Sequence, residues 1–154
     1  MTAVYQKVLV PLDGSELAEC ALSHVTNLVK GGVAGEVILL NVVIVHIPGR
    51  GDSSGLIEIN SVRENLFMGS GKYLADLESR FSSEGIKVKT VSLEGNRPAE
   101  VIVDYAQENG VDLIVIASHG YTGMKKLMFG SVALRVLHDT HVPVLLIRPE
   151  SCRM

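Results

Sequence analysis

From Ala117 to Ser131 the chain reads Ala-Ser-His-Gly-Tyr-Thr-Gly-Met-Lys-Lys-Leu-Met-Phe-Gly-Ser. Glycines in such a stretch let backbone approach a ligand closely and adopt positive φ without a Cβ clash. Gly130-Ser131 stands where a helical pattern begins, so unsatisfied N–H groups and the helix dipole would face an anion there. Lys125 and Lys126 either add positive charge to that anion site or are simply solvated. The same residues also read as a glycine-rich connection into a capped helix that needs no ligand. The chemistry of the segment leaves both readings open.

Asp13 is the second candidate. It ends the aliphatic run Lys7-Val8-Leu9-Val10-Pro11-Leu12 and is followed by Gly14-Ser15. Its carboxylate suits ribose hydroxyls or a metal-bound phosphate, or it caps the turn into the next helix. His119 would need a partner carboxylate to act in acid–base chemistry, and none is evident nearby. His138 and His141 have i, i+3 spacing, which can grip a metal, but a helix C-terminus favouring partial positive charge is the expected setting. Gly31 to Gly35 lacks the Gly-Lys-Ser/Thr ending of a P-loop and precedes a strand. Arg50-Gly51-Asp52 is expected to be plain loop.

These residues need elements to position them. Lys7 to Asp13 reads as a first strand. Ser15 then caps a helix with Ala18, Ala21, Leu22, Val25, Leu28 and Val29 on one face, stopped by Gly31-Gly32. Glu36 to Val45 is a second buried strand. Residues 46–61, with Pro48 and several glycines and serines, are expected to form a flexible loop, where a partner or lid would act. A second helix is predicted over 62–83, with Gly69 and Gly71 marking an irregular start. Ile86 to Leu93 alternates like an edge strand. Pro98 opens a helix that continues to Asn109-Gly110. Asp112 to Ala117 is the fourth strand, Gly130-Ser131 opens the last helix, and Val142 to Ile147 is the final strand. Strict alternation with right-handed crossovers predicts a doubly wound α/β sandwich around a parallel sheet. Ligands in such folds sit beyond the carboxyl ends of the strands, where strand order reverses. Asp13, the end of the second strand, and the segment after Ala117 all fall there.

Composition agrees. The 154 residues fit a single domain, 47% are hydrophobic and only 5% aromatic, which suits aliphatic strands buried on both faces. A net charge of −3 gives no basic footprint for nucleic acid. Cys20 and Cys152 belong to no CxxC motif, so neither a disulfide framework nor a zinc site is expected. Met1 to Tyr5 leads straight into a strand without a leader pattern, and apolar runs fall short of the ~18 residues that span a membrane. A cytoplasmic protein is the expectation.

The chain resembles the universal stress proteins along nearly its whole length. Lys7 to Ser15 resembles the family's first strand and turn; Gly110 to Ile116 and Val142 to Ile147 resemble its later strands. The nucleotide-binding branch carries Gly-x2-Gly-x9-Gly-Ser/Thr, matched here by Ala117, Gly120, Gly130 and Ser131. Gly123 lies too close to Gly130 to belong, and Ala117 departs from the usual first glycine. The branch without nucleotide lacks the later part of this motif. The resemblance implies a Rossmann-like three-layer sandwich with a five-stranded parallel sheet in order 3-2-1-4-5. It implies that Pro11, Leu12 and Asp13 flank adenine and ribose, and that Val42 offers its backbone to the adenine edge. Ile116 and Ala117 would line the ribose, and Gly120, Gly130, Ser131 and Val132 the phosphates. It further implies ATP, with AMP or ADP as alternatives and Mg2+ alongside, and a homodimer through Val142 to Ile147. That strand is aliphatic and would be an aggregation hazard unpaired. The function expected is a stress-response module with at most slow ATP hydrolysis. The alternatives are a dimeric interaction protein without nucleotide, and an ATP-hydrolysing or nucleotidyl-transfer enzyme of related fold.

Overall fold

The computed structural model describes residues 3–45, 53–118 and 130–148. Its elements are β1 (Tyr5–Leu12), α1 (Glu16–Lys30), β2 (Ala34–Val43), α2 (Ser53–Ser83), β3 (Val88–Glu94), α3 (Pro98–Glu108), β4 (Leu113–Ala117), α4 (Ser131–Asp139) and β5 (Val144–Ile147). The five strands form one sheet in the order β3-β2-β1-β4-β5, with every pairing parallel. Topology and class are those expected from the sequence.

Parallel strands need crossovers, and the crossovers cover both faces. Side chains alternate along β1, so Val8, Val10 and Leu12 pack with α1 and α2, while Leu9 joins α3 and α4 on the opposite face. Leu74, Leu77 and Phe81 of α2 and Ala21, Leu22 and Val25 of α1 close the first layer. Ile102, Tyr105, Ala133 and Val136 close the second. β1, paired on both sides and buried on both faces, is the centre of the molecule.

At the amino end of the sheet, Asp112 ties β4 to β1. Its carboxylate accepts the backbone N–H groups of Gln6 at 2.8 Å and Lys7 at 2.9 Å, and its own N–H donates to the Lys7 carbonyl at 3.0 Å. These bonds set the register that pairs Val8 with Leu113.

Three expectations are corrected. Residues 53–61 are helical rather than loop: they add about two and a half turns to the start of α2, although Val62 and Leu66 at its outer end stay exposed; residues 46–52 lie outside the described residues. Gly69 and Gly71 are interior to α2, not at an irregular start. The helix runs through them at a cost of about 1 kcal/mol each relative to alanine. Cys20, buried in α1, is disulfide-bonded, against the sequence expectation, and its partner lies outside the described residues. Distance along the chain misled here: β5 brings the Arg148 carbonyl oxygen to 3.8 Å from the Cys20 sulfur.

Replacing Asp112 with alanine removes two acceptors from backbone N–H groups. The expected loss is about 1–3 kcal/mol in chemical denaturation with an unchanged m-value.

Candidate functional site

At the carboxyl edge of the sheet, β1 leads into a turn toward α1 and β4 leads away toward α4 on the opposite face. The turn is built by Asp13, whose Oδ1 accepts from the Ser15 backbone N–H at 2.9 Å and from the Ser15 hydroxyl at 2.5 Å. Ser15 Oγ in turn accepts from the Ala18 N–H at 3.0 Å, capping α1. Gly14 between them has φ +87°, a conformation glycine adopts without strain. The turn reading of Asp13 is thus seen in the structure, and the residue still faces a cavity.

That cavity encloses about 130 Å³ on the α3/α4 side of the sheet. Pro11, Leu12, Asp13, Val42, Ile116, Ala117, Gly130 and Val132, all singled out from the sequence, lie on its wall. Ser131 begins α4 beside them but is exposed and off the wall. Gly120, His119, Gly123, Lys125 and Lys126 lie outside the described residues. The structure adds Ala18, Leu40, Ile44, Pro98, Ile102, Ser118 and Ala133 to the lining. Pro98 and Ile102 sit one helical turn apart on α3, a spacing visible in sequence. Nothing local says that this face meets the cavity, because a crossover puts it there.

Two hydrogen bonds shape the end of β4. Ser118, fully buried, donates its N–H to the Ile147 carbonyl at 2.7 Å and accepts the Gly130 N–H at 2.6 Å. The Gly130 N–H is therefore already used. Gly130 is the N-cap of α4 and supplies no side-chain cap, while the first bond into the helix is Leu134 N–H to the Gly130 carbonyl at 3.1 Å. The N–H groups of Ser131, Val132 and Ala133 are the helix's remaining first-turn donors. Ala117 ends β4 in extended backbone that any residue adopts, so the strand does not require glycine there. His138 lies in the last turn of α4 with its Nδ1 2.7 Å from Asp139 Oδ1; that contact is the largest cause of the lowered pKa of Asp139. His141 lies beyond the helix, so the two histidines do not share a helical face.

The cavity thus has aliphatic walls, a carboxylate near the end of β1 and, beyond β4, the first turn of α4, to which Gly130 supplies no side-chain cap. The universal stress protein family model matches residues 4–148. The chain belongs to the universal stress protein family. It is 33% identical to universal stress protein MJ0577 of Methanocaldococcus jannaschii, over 98% of this chain and 99% of the relative. It is 30% identical to YxiE of Bacillus subtilis, over 94% of this chain and all of YxiE. The solved structure of MJ0577 superposes with a TM-score of 0.78, at 34% identity, covering 95% of this chain and 97% of that one. A universal stress protein in complex with cAMP, at 21% identity and TM-score 0.61 over 94% of this chain and 98% of the other, shares the fold.

Tyr73, on the α1/α2 side of this edge, carries a buried hydroxyl with the Glu19 carboxylate near it. Burial, with the Glu19 and Asp13 carboxylates next in effect, raises its pKa well above the ordinary value. The folded state therefore keeps a proton that the unfolded chain releases, and stability falls as pH rises past the unfolded tyrosine value of about 10. The Tyr73→Phe variant is expected to lose less stability than the parent as pH rises from neutral past about 10, read from urea midpoints across pH.

Proposed function

We propose that this universal stress protein is a single-domain, cytoplasmic ATP-binding module that regulates through occupancy and hydrolyses ATP slowly at most. The observation that carries the reading is the polarity of the cavity. An apolar slot suits a flat base, the Asp13 carboxylate at one side suits ribose hydroxyls, and the first-turn amides of α4 beyond Gly130 suit phosphates. The base would lie among Pro11, Leu12, Val42 and Ile116, the ribose against Asp13 and Ala117, and the phosphates at Gly120, Gly130, Ser131 and Val132. Mg2+ would accompany the phosphates, supplying charge neutralisation. AMP and ADP fit the same base and ribose positions with fewer phosphate contacts.

The strand of residues 142–147 is proposed to pair with a second copy. β5 is an edge of the sheet, Leu145 is 37% exposed, and Leu134 and Leu137 of α4 stand exposed on the neighbouring helix. An open aliphatic edge is a pairing surface. This also supports the second reading, a dimeric interaction protein without nucleotide.

Mass spectrometry of nucleotide released by heat from fresh protein, followed by ATP titration of the emptied protein, tests the reading. Near-stoichiometric adenine nucleotide is expected, with Gly130→Val weakening ATP by about tenfold or more. No released nucleotide and no titration would leave the interaction protein. Leu145→Asp is expected to yield monomers in sedimentation; an unchanged dimer would move the interface elsewhere.

A further inference from the structure

A second, more open cavity of about 440 Å³ lies at the same edge of the sheet, on the α1/α2 side. Asn41, Val43, Leu66, Gly69, Ser70 and Tyr73 contribute to its wall, and it shares Asp13, Val42 and Ile44 with the first cavity. The same three residues, at the ends of β1 and β2, thus border both spaces.

The backbone at these strand ends has a readable pattern. The Val43 carbonyl accepts the Gly95 N–H at 3.1 Å, so Val43 turns its polar groups toward β3. Alternation along a strand then turns those of Val42 toward β1. The ladder between β1 and β2 ends with Leu12 opposite Asn41, so the Val42 carbonyl has no β1 residue ahead of it. Val42 lines both cavities.

The second cavity also has a definite chemistry. Ser70 Oγ donates to Asn41 Oδ1 at 2.7 Å and lies 2.6 Å from Ser92 Oγ, while the Asn41 amide donates to the Leu12 carbonyl at 2.8 Å. These bonds hold a preorganised polar floor. The Tyr73 ring lies on the wall with its hydroxyl buried, and Leu66, Val43 and Ile44 supply apolar surface. No lysine or arginine is among the lining residues, and Asp13 stands at the rim. Among the described residues, the lining offers an anionic group no cationic side chain. Arg63 braces the wall from outside, with its Nε 2.6 Å from Glu94 Oε1 at the end of β3.

We propose that the nucleotide site extends into this second cavity and accepts adenine nucleotides bearing one uncharged substituent on the exocyclic amino nitrogen. The inference rests on the adenine-nucleotide reading above. A base that gives its amino group to the Val42 carbonyl places that nitrogen beside a residue that borders both spaces. A mono-substituted amine keeps one N–H for the carbonyl, and its substituent passes Ile44 toward Leu66 and Tyr73.

The test is calorimetric titration of nucleotide-free protein with ATP and with N6-benzyl-ATP, on the parent and on Gly69→Leu. A Cβ at Gly69 would meet no atom within 4 Å, so the new side chain enters open space without disturbing the helix. The parent is expected to bind N6-benzyl-ATP within about threefold of ATP, and Gly69→Leu to weaken N6-benzyl-ATP by about tenfold, or 1.4 kcal/mol, while leaving ATP unchanged. Asn65→Phe, at an exposed position on the same wall, repeats the test should Gly69→Leu lose ATP as well. Rejection of N6-benzyl-ATP by a parent that binds ATP overturns the extension alone, as does equal N6-benzyl-ATP affinity in parent and cavity-filling variants. Failure to bind ATP at all removes the nucleotide reading and the extension with it.

Discussion

Everything at the working edge of this molecule depends on β1 being hydrogen-bonded on both sides within a parallel sheet. A strand paired to both β2 and β4 and buried on both faces has only its ends free. Its carboxyl end lies where the following connections part to opposite faces: α1 and α2 to one side, α3 and α4 to the other. Two connections leaving in opposite directions cannot fill the space between them, and a crevice follows from topology alone. The cost of this geometry is met at the other end of the strand, where the Asp112 carboxylate holds the backbone of Gln6 and Lys7 in register.

The crevice acquires chemistry from how each connection begins. The β1 turn spends part of the Asp13 carboxylate on Ser15 and thereby fixes the carboxylate's direction. A carboxylate held by its own turn is a preorganised acceptor, which loses little freedom when a ligand arrives. The return from β4 spends the Gly130 N–H on the Ser118 carbonyl. That pins the start of α4 to the end of β4, leaving the following amides unfilled by any cap from Gly130. One end of the crevice is thus acidic and the other carries the positive end of a helix, with aliphatic walls between.

Much of this was legible from residue patterns. Ser15 as a cap, Gly31 as a stop, Pro98 in a first helical turn and Gly130-Ser131 at the start of α4 are local chemistry, and each holds. The aliphatic runs marked the buried strands, and the weak alternation of 86–93 marked β3 as an edge. What escaped was non-local. α2 begins inside a glycine- and serine-containing stretch, so composition hid the helix start. The approach of the chain's last strand to Cys20 has no signature in spacing. The second cavity arises because α2 crosses the end of β2, bringing Leu66 and Gly69 to Ile44, and no window of sequence contains that meeting. Resemblance supplied the expected ligand positions, and eight of those residues line one cavity.

The central claim is that nucleotide sits at the end of β1, between the Asp13 turn and the start of α4. The most direct measurement is a two-dimensional amide NMR titration of nucleotide-free protein with ATP. The account predicts saturable shifts concentrated at Asp13, Gly14, Val42, Ala117, Gly130, Ser131 and Val132, with the α1/α2 groove around Ser23, Asn27 and Arg80 unmoved. Shifts centred on that groove, or none at all at saturating ATP, would contradict it.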